Sequence, residues 1–198
     1  RALRLALVEK YLNHNLNHNH NKENLENFLC GNGAADLIYR LIYAVCPKRA
    51  LVIHPTFVEY EEAMAVVGTE IVSYDLNHED FEIREDILEK ITDATDMIFI
   101  CNPNNPTGVL TKRSLLAKIL DKAKAHNCLL VIDECFLDFT GSAQESAYTM
   151  LPYIKDYDNL LILKSFTKMF AMPGIRLGYA ISGNRALLEK MKHAGQSW

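Results

Sequence analysis

The chain has 198 residues, 49% of them hydrophobic, with a formal net charge of −4. At roughly 100–200 residues per domain this is one large domain or two small ones, able to bury about 70% of its unfolded surface without a staple. The acidic balance argues against a dedicated nucleic-acid binder and the aliphatic content against disorder, and no apolar run approaches the ~18 residues of a membrane span.

The predicted elements alternate along the chain. A helix over 2–12 leads to a strand at 27–30, a helix at 34–46, a strand at 50–53 and a helix at 57–67. A strand at 70–74, a helix at 84–90, a strand at 97–101, a helix at 112–127 and a strand at 128–132 follow. The last elements are a helix at 148–154, strands at 160–163 and 177–182, and a helix at 184–192. Strands such as Cys128-Leu-Leu-Val-Ile132 are apolar at every position, as expected when helices cover both sheet faces. The expectation is an α/β fold, a three-layer α/β/α sandwich around a mainly parallel sheet of about seven strands. No repeat or long linker divides it, so residues 1–198 read as a single domain.

The segment 13–21 is rich in Asn. His14 and His18 have the i, i+4 spacing that can pair imidazoles on one helix face, but Asn disfavours a helix and no thiol or carboxylate accompanies them. A solvated loop without a metal is expected there. The cysteines, Cys30, Cys46, Cys101, Cys128 and Cys135, are odd in number and form no C-x-x-C pair. Reduced thiols in a cytoplasmic protein are expected, and no stretch reads as a signal peptide.

Gly31-Asn-Gly-Ala-Ala-Asp36 follows a strand and opens a helix. The first N–H groups of a helix lack partners and its dipole favours negative charge, so this is anion-binding geometry. Asp36 stands where a dinucleotide fingerprint needs Gly, and no acidic residue ends the strand Leu51-Val-Ile-His-Pro55 to hold a ribose. Taken alone, the loop is either a phosphate cradle or a plain strand-to-helix turn.

Three later segments are more specific: Asn102-Pro-Asn-Asn-Pro-Thr-Gly108, Val131-Ile-Asp-Glu134, and Ser165-Phe-Thr-Lys-Met-Phe-Ala-Met-Pro-Gly-Ile-Arg-Leu-Gly178. With the Gly-rich turn, their order and spacing resemble the fold-type-I pyridoxal-phosphate (PLP) enzymes of the class I/II aminotransferase family, over nearly the whole chain. The resemblance implies that Lys168 is the buried lysine that attaches to the cofactor aldehyde and later moves protons. It makes Asp133 the partner that keeps the pyridine nitrogen protonated. Asn105 matches the donor to the ring hydroxyl oxygen, and Phe57, after His54-Pro-Thr, the aromatic on the ring face. For the phosphate, the matching groups are the backbone around Gly33, Ala34 and Ala35, the hydroxyls of Ser165 and Thr167, and the planar fork of Arg176, eight residues after Lys168. Phe136 stands where many members carry a Tyr that also bonds the ring hydroxyl oxygen; its loss should alter the cofactor's proton affinity.

Family members are longer, so the chain is expected to be a large PLP-binding domain without the N-terminal segment and the small C-terminal domain. That small domain normally supplies the arginine for the substrate carboxylate, and a homodimer is implied. Within the family the chain most resembles the histidinol-phosphate aminotransferases and threonine-phosphate decarboxylases. Asp133-Glu-Cys-Phe-Leu-Asp-Phe139, Ala171-Met-Pro-Gly-Ile-Arg-Leu-Gly-Tyr179 and Gly195-Gln-Ser-Trp198 lean toward the decarboxylases. The implied substrate is a small, phosphorylated amino compound. Two other readings stay open: an isolated PLP-binding domain that is idle by itself, and a noncatalytic phosphate- or nucleotide-binding module.

Overall fold

The structure, a computed structural model, describes residues 2–12, 24–168, 171–172 and 174–195. Among them the strands are β1 (Phe28–Gly31), β2 (Arg49–His54), β3 (Glu70–Asp75), β4 (Met97–Cys101), β5 (Leu129–Asp133), β6 (Leu160–Ser165) and β7 (Gly178–Ser182). They form one sheet in the order β1-β7-β6-β5-β4-β2-β3. Neighbours from β3 across to β6 run parallel, while β7 is antiparallel to both β6 and β1. The helices are α1 (Ala2–Leu12), α2 (Gly33–Val45), α3 (Glu59–Val66), α4 (Arg113–Ala125), α5 (Ser142–Tyr148) and α6 (Arg185–His193). None is long and apolar enough to cross a membrane.

Side chains alternate across the sheet, so each buried strand feeds two cores. On one face Leu51, Ile98, Ile100, Leu130, Ile132 and Ile162 pack against Leu7 of α1 and Leu116, Ile119 and Leu120 of α4. On the other, Val52, Phe99, Val131, Leu161 and Leu163 meet α2 through Leu37, Ile38, Leu41 and Ile42, α3 through Tyr60 and Met64, and α6 through Leu188 and Met191. The α2 residues recur at helical spacing, which puts one apolar stripe on the sheet. The same alternation sends Asp133 and Glu134, and likewise Lys164 and Ser165, to opposite faces.

Two predicted helices need correction. In place of a helix over 148–154, the chain forms α5 earlier, extends at Thr149 and ends in a short 3-10 turn, Leu151–Tyr153. The Thr149 hydroxyl and the Met150 N–H each donate to the Glu134 carboxylate at 2.8 Å, which draws the backbone off a helical path. Pro152 then lacks the N–H a longer helix would use. The helix expected over 84–90 is a 3-10 helix, Glu85–Lys90, behind an extended Arg84 whose N–H donates to Tyr74 Oη at 3.2 Å. Strands expected at 27–30 and 128–132 begin one residue later. The Asn-rich segment with His14 and His18, and the last three residues, lie outside the described residues.

Candidate active site

A cavity of about 220 Å³ opens at the carboxyl ends of β4, β5 and β6, where Cys101, Asp133 and Ser165 line it. Ligands in open α/β sheets sit at this edge, because helix N-termini and strand ends converge there. A larger depression of about 790 Å³ lies at the opposite, amino ends of the strands, among Lys48, Asp96, Asn127 and Asn159. It gathers none of the cofactor-site residues expected from the sequence. The smaller cavity is lined by every one of them except Gly33: Ala34, Ala35, Phe57, Asn105, Asp133, Phe136, Ser165, Thr167, Lys168 and Arg176.

Asp133 ends β5 and is 5% exposed. Its Oδ2 accepts a hydrogen bond from Tyr60 Oη at 2.7 Å and its Oδ1 one from the Cys135 N–H at 2.9 Å. Tyr60, fully buried in α3, stacks on Phe99 with ring centroids 4.6 Å apart and meets Phe57 edge-on at 5.5 Å. Burial, reinforced by the Asp133 charge, holds the Tyr60 phenol well above its ordinary pKa, so it remains a donor. Sequence reasoning missed Tyr60. The available signal was its position, three residues after Phe57, which in the helix expected over 57–67 puts both rings on one side.

The loop after β4 sorts its three asparagines. Asn102 pairs with Thr111, accepting from its N–H at 2.8 Å and donating to its carbonyl at 3.2 Å. Asn104 donates to the Pro55 carbonyl at 2.9 Å and to Thr107 Oγ1 at 3.0 Å. With those two holding the loop, Asn105 is the one that lines the cavity.

The α2 end is rich in donors. No side chain caps α2 at Asn32, which leaves its first N–H groups free of a capping bond. Gly33 has φ +86°, and a Cβ there would lie 3.4 Å from Arg176 Nη2, so the guanidinium rests against bare backbone. A Cβ on Gly178 would lie 2.6 Å from the Gly33 carbonyl carbon, so glycine lets β7 abut the start of α2. Ser165 Oγ and Thr167 Oγ1, both buried, are 2.7 Å apart. Free N–H groups, two hydroxyls and a planar cation suit a phosphate dianion.

The two lysines near the end of β6 separate cleanly. Lys164 is 1% exposed on the far face and donates to Asp138 at 2.6 Å and Glu145 at 3.0 Å. Lys168 lines the cavity, with Nζ 4.2 Å from the Phe136 ring centroid. Its side chain is exposed, because it sits in the turn past the end of β6 and not in the sheet.

Glu59, Cys101 and Cys135 also line the cavity and were not anticipated as site residues. Burial, then the charge of Asp133, pushes the Cys101 thiol up to about 12 and the Cys135 thiol well above its usual value. Both are therefore protonated and poorly nucleophilic at neutral pH. Iodoacetamide is expected to mark the exposed Cys46 while leaving these two untouched in the folded protein. Mass spectrometry showing Cys101 alkylated as fast as Cys46 would contradict this.

A sequence model of the family described as aminotransferase class I and II matches residues 1–198. The threonine-phosphate decarboxylase of Salmonella typhimurium is 37% identical over 171 residues, 86% of this chain and 46% of that protein. The histidinol-phosphate aminotransferase of Desulfitobacterium hafniense is 37% identical over 179 residues, 86% of this chain and 47% of that protein. Among solved structures, the histidinol-phosphate aminotransferase from Clostridium acetobutylicum superposes with a TM-score of 0.83 at 30% identity, covering 99% of this chain and 55% of that one. The chain spans about half the length of the curated relatives it matches.

Proposed function

Because the chain belongs to the aminotransferase class I and II family, a family of PLP-dependent enzymes, we propose that its cavity holds PLP and serves a phosphorylated amino substrate. One observation carries this reading: a single small cavity is lined by a phosphate-type donor set, a doubly hydrogen-bonded carboxylate and a primary amine. Bound there, the cofactor supplies an electron sink for the pair released at the substrate α-carbon.

The chain's own groups have separable tasks. Arg176, the Ser165 and Thr167 hydroxyls and the first N–H groups of α2 hold the phosphate. Asp133 keeps a proton on the ring nitrogen, and the Tyr60 and Cys135 donors fix the carboxylate's orientation. Phe57 covers a ring face, Asn105 donates to the ring hydroxyl oxygen, and Phe136 offers packing without a hydroxyl. Lys168 would be the amine that holds the cofactor at its aldehyde carbon, with water as the leaving group, and it would carry a proton to or from the substrate α-carbon.

Borohydride treatment of the PLP-loaded protein is expected to fix the label on the peptide containing Lys168. A label on Lys164 would overturn the assignment. Arg176→Ala should weaken PLP binding by about 10–100-fold, the worth of one charge-assisted contact, with Arg176→Lys recovering only part because an ammonium lacks the fork. Unchanged affinity with lowered melting would make Arg176 a structural residue instead.

A decarboxylase and an aminotransferase stand at the same 37% identity, so the proposal is common to both chemistries. Carbon dioxide release from threonine phosphate, against amino transfer from histidinol phosphate to 2-oxoglutarate, decides between them. PLP absorbance without turnover in either assay would favour an idle binding domain. We further propose that residues 1–198 are the large domain of a cytoplasmic homodimer, with the substrate-carboxylate arginine in the part of the relatives' length this chain does not span. Supporting the dimer, Val58, Phe139 and Ile175 are exposed apolar side chains beside or packed near cavity residues Phe57, Phe136 and Arg176. Sedimentation of the full chain tests it.

A further inference from the structure

Phe57 and Asn105 reach the cavity from two separate loops, one after β2 and one after β4. The sheet does little to hold these loops together. β2 and β4 pair only from Ala50 with Met97 to Val52 with Phe99, whereas β2 stays paired with β3 as far as His54 and β4 with β5 as far as Cys101. The carboxyl ends of β2 and β4 therefore share no ladder where their loops meet at the cavity. Asn104, only 8% exposed, spans that gap. Its Nδ2 donates to the Pro55 carbonyl at 2.9 Å, and its Oδ1 accepts from Thr56 Oγ1 at 3.1 Å. The third bond, from Nδ2 to Thr107 Oγ1 at 3.0 Å, stays within its own loop. Backbone closes that loop as well: the Asn104 N–H donates to the Val109 carbonyl at 2.9 Å and the Gly108 N–H to the Asn104 carbonyl at 2.7 Å. Two of the three side-chain bonds thus serve the neighbouring loop, and they use both the donor and the acceptor end of the amide.

We propose that Asn104 is a positioning residue that locks the two loops, so that Phe57 on the ring face and Asn105 at the ring hydroxyl oxygen close on the cofactor as one unit. The inference rests on the functional reading above and adds to it the residue that couples these two contacts. Chain order supplies the lever. Phe57 directly follows Thr56 and Asn105 directly follows Asn104, so a shift of either bonded residue carries a cavity residue with it. The other cross-link from this side, Tyr60 to Asp133, runs to β5 and not to the loop that carries Asn105.

The test compares the full chain as wild type with Asn104→Ala, Thr56→Val and Thr107→Val. Thr56→Val removes a bond between the loops, while Thr107→Val removes bonds within one loop only. The readouts are PLP affinity by absorbance titration, the induced circular dichroism of bound PLP at saturation, and melting of the apo-protein. Thr56→Val should weaken PLP binding by about 2–10-fold, the worth of one neutral hydrogen bond, and Asn104→Ala by about 5–100-fold. Both should change the dichroism of the bound cofactor, and Thr107→Val should leave affinity and dichroism near wild type. In a cycle with Phe57→Leu, the loss caused by that change should shrink in the Asn104→Ala background, where the aromatic is no longer held in place. Wild-type affinity and dichroism in Thr56→Val and Asn104→Ala, with melting alone lowered, would make Asn104 a structural residue. An equal loss in Thr107→Val, or strict additivity with Phe57→Leu, would likewise overturn the coupling. Should Asn104→Ala fail to fold, Thr56→Val against Thr107→Val carries the same decision. A wild-type chain that takes up no PLP would sink the functional reading and this inference together, whereas the other failures leave that reading standing.

Discussion

An Asp133→Asn variant is expected to fold as the wild type does yet lose turnover by about 10²–10³-fold, the range for removing one preorganised electrostatic partner of a reacting group. The hydrogen bonds can survive the change. The amide oxygen can accept from the Cys135 N–H, now 2.9 Å from Oδ1, and the amide nitrogen can donate to the Tyr60 hydroxyl, which can accept as well as donate. What disappears is the negative charge that holds a proton on the ring nitrogen. Asp133→Ala differs in kind, because it strands the Tyr60 hydroxyl and the Cys135 N–H in a place only 5% exposed. At about 1–3 kcal/mol for each unsatisfied group, melting should fall by roughly 5–20 °C on top of the lost turnover. Turnover and melting measured on both variants separate charge from hydrogen bonding. Near-normal turnover in the Asn variant would remove Asp133 from the chemistry, and equal melting of the two would undo the hydrogen-bond account.

The sheet was legible where composition alone suffices. Met97–Cys101 and Leu129–Asp133 are almost wholly buried strands, and their unbroken apolar runs say so. The reversed course of β7 is not written in its own residues, but the stretch before it carried a hint. A parallel return needs a crossover, usually a helix, and none was predicted between 163 and 177. The helix misplaced at 148–154 had no such hint, since Glu134 bonds Thr149 and Met150 only after the chain has folded back. The cofactor-site residues were legible because they travel in short motifs whose backbone turns present them together. Tyr60 was not, because its bond to Asp133 spans 73 residues. Glu59, which also lines the cavity, was hidden for a further reason: a Glu in the first turn of a helix is ordinary.

Lys164→Met should destabilise the protein by about 3–5 kcal/mol, the range for deleting one partner of a buried ion pair. Lys164 lies 2.6 Å from Asp138, 3.0 Å from Glu145 and 3.7 Å from Glu134, and its ammonium is 5.1 Å from the centroid of the Tyr11 ring. Burial by itself would lower its pKa, but Glu134, Tyr11 and Asp138 together outweigh that and hold it above the ordinary lysine value. The stability tied to this shift is therefore present at and below the unfolded value and is lost only as pH rises through the folded one. Asp138 answers in the opposite sense. Burial would raise it, Lys164 outweighs burial, and its depressed value adds stability that is lost as pH falls through it. For Glu134 burial wins despite Lys164, so its pKa is raised, and it favours folding on the acid side, an advantage lost as pH rises toward that value. In acid the two carboxylates work against each other, and the wild type should show a shallow acid dependence from this cluster. Without Lys164, Asp138 loses the main charge that held it down and keeps only the exposed Lys10, 3.9 Å away, while Glu134 and Glu145 lose the Lys164 cation. The deficit of Lys164→Met should then be largest near pH 7 and shrink as pH is lowered toward about 4, where carboxylates take up protons. Adding Glu134→Gln should restore part of it by removing one stranded charge while keeping an acceptor for Thr149 or Met150. Urea unfolding of the wild type and both variants across that range is the measurement. A deficit that stays constant with pH, or that Glu134→Gln deepens, would mean that Lys164 contributes packing and not charge.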